Sequence, residues 1–80
     1  MLHVTNAKYI ADYRVHVWFN DGTDSEIDLR PSLDGPIFEP LRDREYFSRF
    51  AIEGHTLAWQ NGADFAPEYL RSLVTERTHA

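Results

Sequence analysis

Polarity alternates residue by residue along Tyr13-Arg14-Val15-His16-Val17-Trp18-Phe19, and again from Thr23 to Leu29. A period of two is the signature of a half-buried strand, so Tyr13, Val15, Val17 and Phe19 share one face while Arg14, His16 and Trp18 share the other. Asn20-Asp21-Gly22 separates the two runs. A two-residue Asp21-Gly22 loop would set Phe19 opposite Asp24 and Val17 opposite Glu26, mixing core and solvent faces, a slip that sheets penalise heavily. A three-residue loop with Gly22 left-handed instead pairs Phe19 with Thr23, Val17 with Ser25, Val15 with Ile27 and Tyr13 with Leu29. On the opposite face Trp18 meets Asp24, His16 meets Glu26 and Arg14 meets Asp28, so the charged pairs are complementary. The pattern predicts the three-residue loop.

The rest of the chain reads as follows. Val4 to Ala11 is apolar-rich and predicts a strand that ends in a bend at Asp12. Arg30 to Pro40 holds three prolines and Gly35, which predicts a loop anchored by Leu33, Ile37 and Phe38. Asp43 is placed to cap a short helix, Arg44 to Arg49, with Leu41 and Phe47 facing inward. Phe50-Ala51-Ile52-Glu53 and Thr56-Leu57-Ala58-Trp59 flank Gly54-His55. A type II′ turn there sets Ile52 opposite Leu57 and Phe50 opposite Trp59, with Ala51 and Ala58 behind. Pro67 and Glu68 open a final helix running to about Val74, striped by Leu70, Leu73 and Val74. Residues 75–80 are expected to fray. The expected fold is a small two-layer α+β domain, an antiparallel sheet of two hairpins in the order β-β-β-α-β-β-α.

Composition narrows the function classes. Eighty residues make a single domain, 1–80, with a core expected over about 3–74. With 42% hydrophobic and 14% aromatic residues the chain has the apolar content of a folded domain. It lacks cysteine, which excludes disulfides, thiolate metal sites and a cysteine nucleophile. The start of the chain, Met1-Leu2-His3-Val4-Thr5, shows no secretory pattern, and no apolar stretch approaches membrane-spanning length, so the expected location is cytoplasmic. A net charge of −5, from thirteen acidic and eight basic residues, repels phosphate backbones and argues against direct nucleic-acid binding.

The spacing of Val15-x-Val17-x-Phe19, Asp21-Gly22, Asp28-Leu29, Gly35, Phe38, Leu41 and Phe47, with the ending Trp59-Gln60-Asn61-Gly62-Ala63-Asp64-Phe65-Ala66-Pro67-Glu68-Tyr69-Leu70, resembles the bacterial family catalogued as Domain of Unknown Function 2442. The resemblance spans roughly residues 4 to 70, and the closing motif is its most specific part. Gln60 departs from it, because the family often has proline there. The resemblance implies no established activity. Some members carry a helix-turn-helix domain after this module, for which this chain is too short. Members are also often suggested to be the antitoxin-like half of two-protein modules.

Two sets of residues are candidates for function. Arg14, His16 and Trp18 lie on the outer strand face, and tryptophan and arginine are favoured anchors in protein interfaces. The expected partner is another protein, a basic one by charge complementarity, or a second copy of the chain. A covering of this face by the final helix or the second hairpin is the structural alternative. His55, Trp59, Asn61 and Asp64 are the candidates for a small-ligand or catalytic site. Their structural reading is a turn at Asn61-Gly62 followed by Asp64 capping the final helix. The ladder Asp24, Glu26 and Asp28 reads as a solvated face and not as an acid-base pair or metal site. His3, His16, His55 and His79 fit no zinc spacing, and Ser25, Ser32, Ser48 and Ser72 lie in no nucleophile motif. No catalytic residue, metal or cofactor is therefore assigned. The expected role is a non-catalytic interaction module.

Overall fold

The structure, a computed structural model, describes residues 1–74. The frayed tail expected at 75–80, with His79, lies outside the described residues. Strands β1 (Val4–Ala11), β2 (Arg14–Phe19) and β3 (Asp24–Asp28) form an antiparallel sheet in the order β1-β2-β3. After two 3-10 segments, Arg30–Ser32 and Pro36–Arg42, come helix α1 (Arg44–Phe47), the hairpin β4 (Ala51–Glu53) and β5 (Thr56–Ala58), and helix α2 (Pro67–Ser72). The architecture is a small α+β domain with two antiparallel sheets, of three and two strands.

The first hairpin has the register that side-chain alternation demands. Arg14 pairs with Asp28, Val15 with Ile27, His16 with Glu26, Val17 with Ser25 and Trp18 with Asp24. The Phe19 amide donates to the Thr23 carbonyl at 2.8 Å, and Gly22, at φ 88°, closes the three-residue loop. Val15, Val17, Phe19, Ile27 and Leu29 are consequently buried on one face. The ladder bonds of β3 run through Thr23, Ser25, Ile27 and Leu29. Antiparallel alternation therefore turns the amides of Asp24, Glu26 and Asp28 outward, along an edge that pairs with no other strand among the described residues.

β1 is less regular. Its pairing with β2 shifts between Val4 and Asn6 and again between Tyr9 and Ala11. The first bulge lets Val4 face the core opposite Phe19 although Ala7 and Tyr9, of opposite parity, face it too. Asp12 takes a positive φ of 52° in the bend that follows.

The buried face of this sheet receives the remaining elements. Phe47 of α1 is fully buried and packs edge-on against Tyr13 at 5.3 Å and Tyr9 at 6.2 Å between ring centroids. Leu33, Leu41, Leu57, Trp59, Phe65 and Leu70 complete one core. Asp43 caps α1 by accepting the Glu45 amide at 3.2 Å.

Four expectations are corrected. Gly54 and His55 both have positive φ, 60° and 69°, the pattern of a type I′ turn and not of type II′. Arg30 to Pro40 is mostly wound into 3-10 turns, because its prolines hold φ near the helical value. Ile37 does not anchor that segment but stands 48% exposed, whereas Leu33 is buried. Ile52 also faces solvent while its partner Leu57 is buried, since β4 lies on the rim of the second sheet.

Candidate partner-binding face

The opening of Trp59-Gln60-Asn61-Gly62-Ala63 repeats the geometry of the first hairpin loop. There, Gly22 donates to the Phe19 carbonyl at 3.2 Å; here, Gly62 donates to the Trp59 carbonyl at 3.0 Å. The Phe19 amide donates to the Thr23 carbonyl at 2.8 Å, and the Trp59 amide donates to the Ala63 carbonyl at 2.9 Å in the same way. In each loop a short side chain locks the turn: Asp21 accepts the Thr23 amide at 2.9 Å, and Asn61 accepts the Ala63 amide at 3.1 Å. The stretch is thus a second three-residue hairpin loop, returning the chain so that Asp64 bridges Ala58 across β5.

That geometry occupies most of the groups proposed for a ligand site. Asn61 Nδ2 donates to the Ile37 carbonyl at 2.9 Å and ties the loop to the second 3-10 segment. Trp59 is buried, its Nε1 donates to the Phe47 carbonyl at 2.9 Å, and its ring packs against Phe47, Phe50 and Phe65. Asp64 does not cap α2: the cap position is Ala66, with no side-chain bond, because Asp64 is held in the bridge. His55 sits at the tip of the β4-β5 turn, at the other end of β5, where its ring lies 4.9 Å from that of His3 and its carbonyl accepts the Val4 amide. The fold does not gather His55, Trp59, Asn61 and Asp64 around one cleft.

Arg14, His16 and Trp18, in contrast, do share a surface. They project from the outer face of the three-stranded sheet, with Asn6 and Lys8 of β1 on one side and Asp24, Glu26 and Asp28 on the other. The His16 and Trp18 rings lie 4.3 Å apart at an interplanar angle of 40°. His16 Nε2 meets Asp24 Oδ2 at 2.6 Å, and Arg14 Nε meets Glu26 Oε2 at 3.5 Å. These contacts therefore run diagonally and not straight across as the register alone suggests. Strand twist brings diagonal neighbours within reach of long side chains, and Asp28 is taken locally by the Arg30 amide at 3.0 Å. The covering layer considered for this face is absent among the described residues. α2 turns Leu70 into the core on the opposite side, and the second hairpin packs its own Leu57 there.

The face carries a cation, an imidazole beside a half-buried indole, and carboxylates, all on one side of the sheet. This chemistry suits recognition of another surface. Among the described residues no cluster of histidine and carboxylate groups could hold a metal ion, and no helix is long and apolar enough to cross a membrane. One cleft lies elsewhere, lined by Tyr13, Arg30, Pro31, Leu33, Asp34 and Arg42. Sequence reading missed it because its lining comes from three separate stretches; the one local signal was Arg30-Pro31 directly after the acidic strand.

Among known proteins, the family described as "Protein of unknown function (DUF2442)" matches residues 4–76. No curated protein and no solved structure matches the chain.

Proposed function

The chain belongs to the DUF2442 family, and from that premise we propose that it is a non-catalytic protein-interaction module that binds a partner through the outer face of its first hairpin. The observation that carries this reading is the His16-Trp18 pair, which no other element covers among the described residues and which stands beside Arg14. A partly exposed indole supplies contact area at low conformational cost, and such residues dominate interface energetics. A net charge of −5 favours a basic partner, since complementary fields accelerate encounter. In its more specific form the proposal is an antitoxin-like role in the cytoplasm, masking a small toxin-like protein encoded beside it.

The test is co-purification of the chain with the protein encoded next to it, followed by titration calorimetry with wild type and Trp18→Ala. The expected result is a defined complex whose affinity falls by roughly tenfold or more in the variant, the loss typical of an interface anchor. Equal affinities for the two proteins, or recovery of the chain alone at low salt, would overturn the reading.

A further inference from the structure

The cleft at the far end of β2 has a composition unusual for this acidic chain. It begins where Leu29 leaves the sheet and Pro31 winds the chain into its first 3-10 turn. Arg30 is held there by its backbone N–H donating to Asp28 Oδ1, and its guanidinium lies 5.6 Å from the centroid of the Tyr13 ring. Arg42 arrives from the end of the second 3-10 segment and donates from Nε to the Leu33 carbonyl at 3.0 Å. Tyr13 is pinned twice, by its hydroxyl donating to the Arg42 carbonyl and by its ring against Phe47. Two guanidinium groups, a fixed aromatic ring, Pro31 and Leu33 thus surround a cleft of about 310 Å³.

The pairing of the arginines sets this place apart. Arg14, Arg44, Arg49 and Arg71 each lie within 3.5 Å of a carboxylate. Arg30 has no carboxylate partner among the described residues, although the chain holds thirteen acidic groups. Arg42 has only Asp34, at 3.7 Å and on a side chain 89% exposed. We propose that this cleft binds a small aromatic carboxylate, a site independent of the outer sheet face. The guanidinium fork matches the planar carboxylate in two parallel bonds. Pro31 and the Tyr13 ring give the ligand an apolar wall, backed by Leu33 in the core behind. Two cations against one aspartate leave the site with one positive charge, which a monoanion neutralises. Asp34 then acts as a stand-in: its carboxylate rests loosely at Arg42 and swings into solvent when the ligand arrives.

The experiment is a titration of ¹⁵N-labelled protein with sodium benzoate, with benzyl alcohol and inorganic phosphate as comparisons, read from backbone amide shifts. Saturable shifts of Arg30, Leu33 and Arg42 are expected with benzoate, in the millimolar range usual for a ligand of so few atoms. Arg30→Met should weaken benzoate by roughly tenfold, and Arg30→Lys by several-fold because it keeps the charge but loses the fork. Asp34→Asn should tighten it about threefold by removing the internal competitor. Shifts that do not saturate, that benzyl alcohol reproduces, or that phosphate produces at lower concentration overturn the proposal. So does unchanged affinity in Asp34→Asn.

Discussion

Gly22 and Gly62 perform the same task in distant parts of the chain. Both take a left-handed φ, 88° and 92°, at the close of a three-residue loop locked by Asp21 or Asn61. A Cβ built at either position meets nothing within 4 Å, so substitution costs only what the backbone conformation demands. Gly22→Ala and Gly62→Ala should therefore each lower stability by about 1–2 kcal/mol, and by nearly equal amounts. Thermal unfolding of the two variants measures this, with a drop in Tm of about 4–8 °C per kcal/mol for a domain of this size. A clear inequality between them would show that the two loops are not energetic equivalents.

At the scale of elements, legibility followed the strictness of the local pattern. The β2-β3 hairpin was readable to the residue because only one register keeps Val15, Val17 and Ile27 together. The outer face of Arg14, His16 and Trp18 came with it. β1 was readable as a strand but not by face, since its bulges switch the parity between Val4 and Ala7. The loop at 60–62 read as a turn but not as a hairpin, because its returning arm is a single bridge at Asp64 with no alternation to betray it. The anchoring of α2 was equally invisible: Arg71 Nε reaches Asp21 Oδ2 at 3.2 Å, joining the last helix to the first loop. The Thr23 backbone amide, foremost, holds the Asp21 carboxyl below its ordinary value of 3.8; desolvation opposes it, and the Thr23 hydroxyl and then Arg71 add lesser lowering contributions. A carboxyl whose folded pKa is depressed stabilises the fold above its unfolded pKa, and that contribution fades as pH falls through the folded value. The stability difference between wild type and Asp21→Asn should thus hold constant at neutral pH and close below about pH 3.8, as urea unfolding at stepped pH would reveal.

The whole molecule is a sheet with one dry face and one open face, and a core that draws nearly every other element to the dry side. Among the described residues this one-sidedness leaves the outer face uncovered and the β3 edge without a neighbouring strand. A second copy approaching that edge in antiparallel fashion would set Glu26 against Glu26 and Asp24 against Asp28. Three like-charged contacts on each strand oppose the very pairing that the outward amides invite. The carboxylates that read from the sequence as a solvated face thus also oppose edge-to-edge pairing. Replacing Asp24, Glu26 and Asp28 by Asn, Gln and Asn removes the charge and keeps the shape. Sedimentation of that triple variant should show concentration-dependent association where the wild type sediments without it. The acidic strand thus sets charge repulsion against pairing of two copies along this edge.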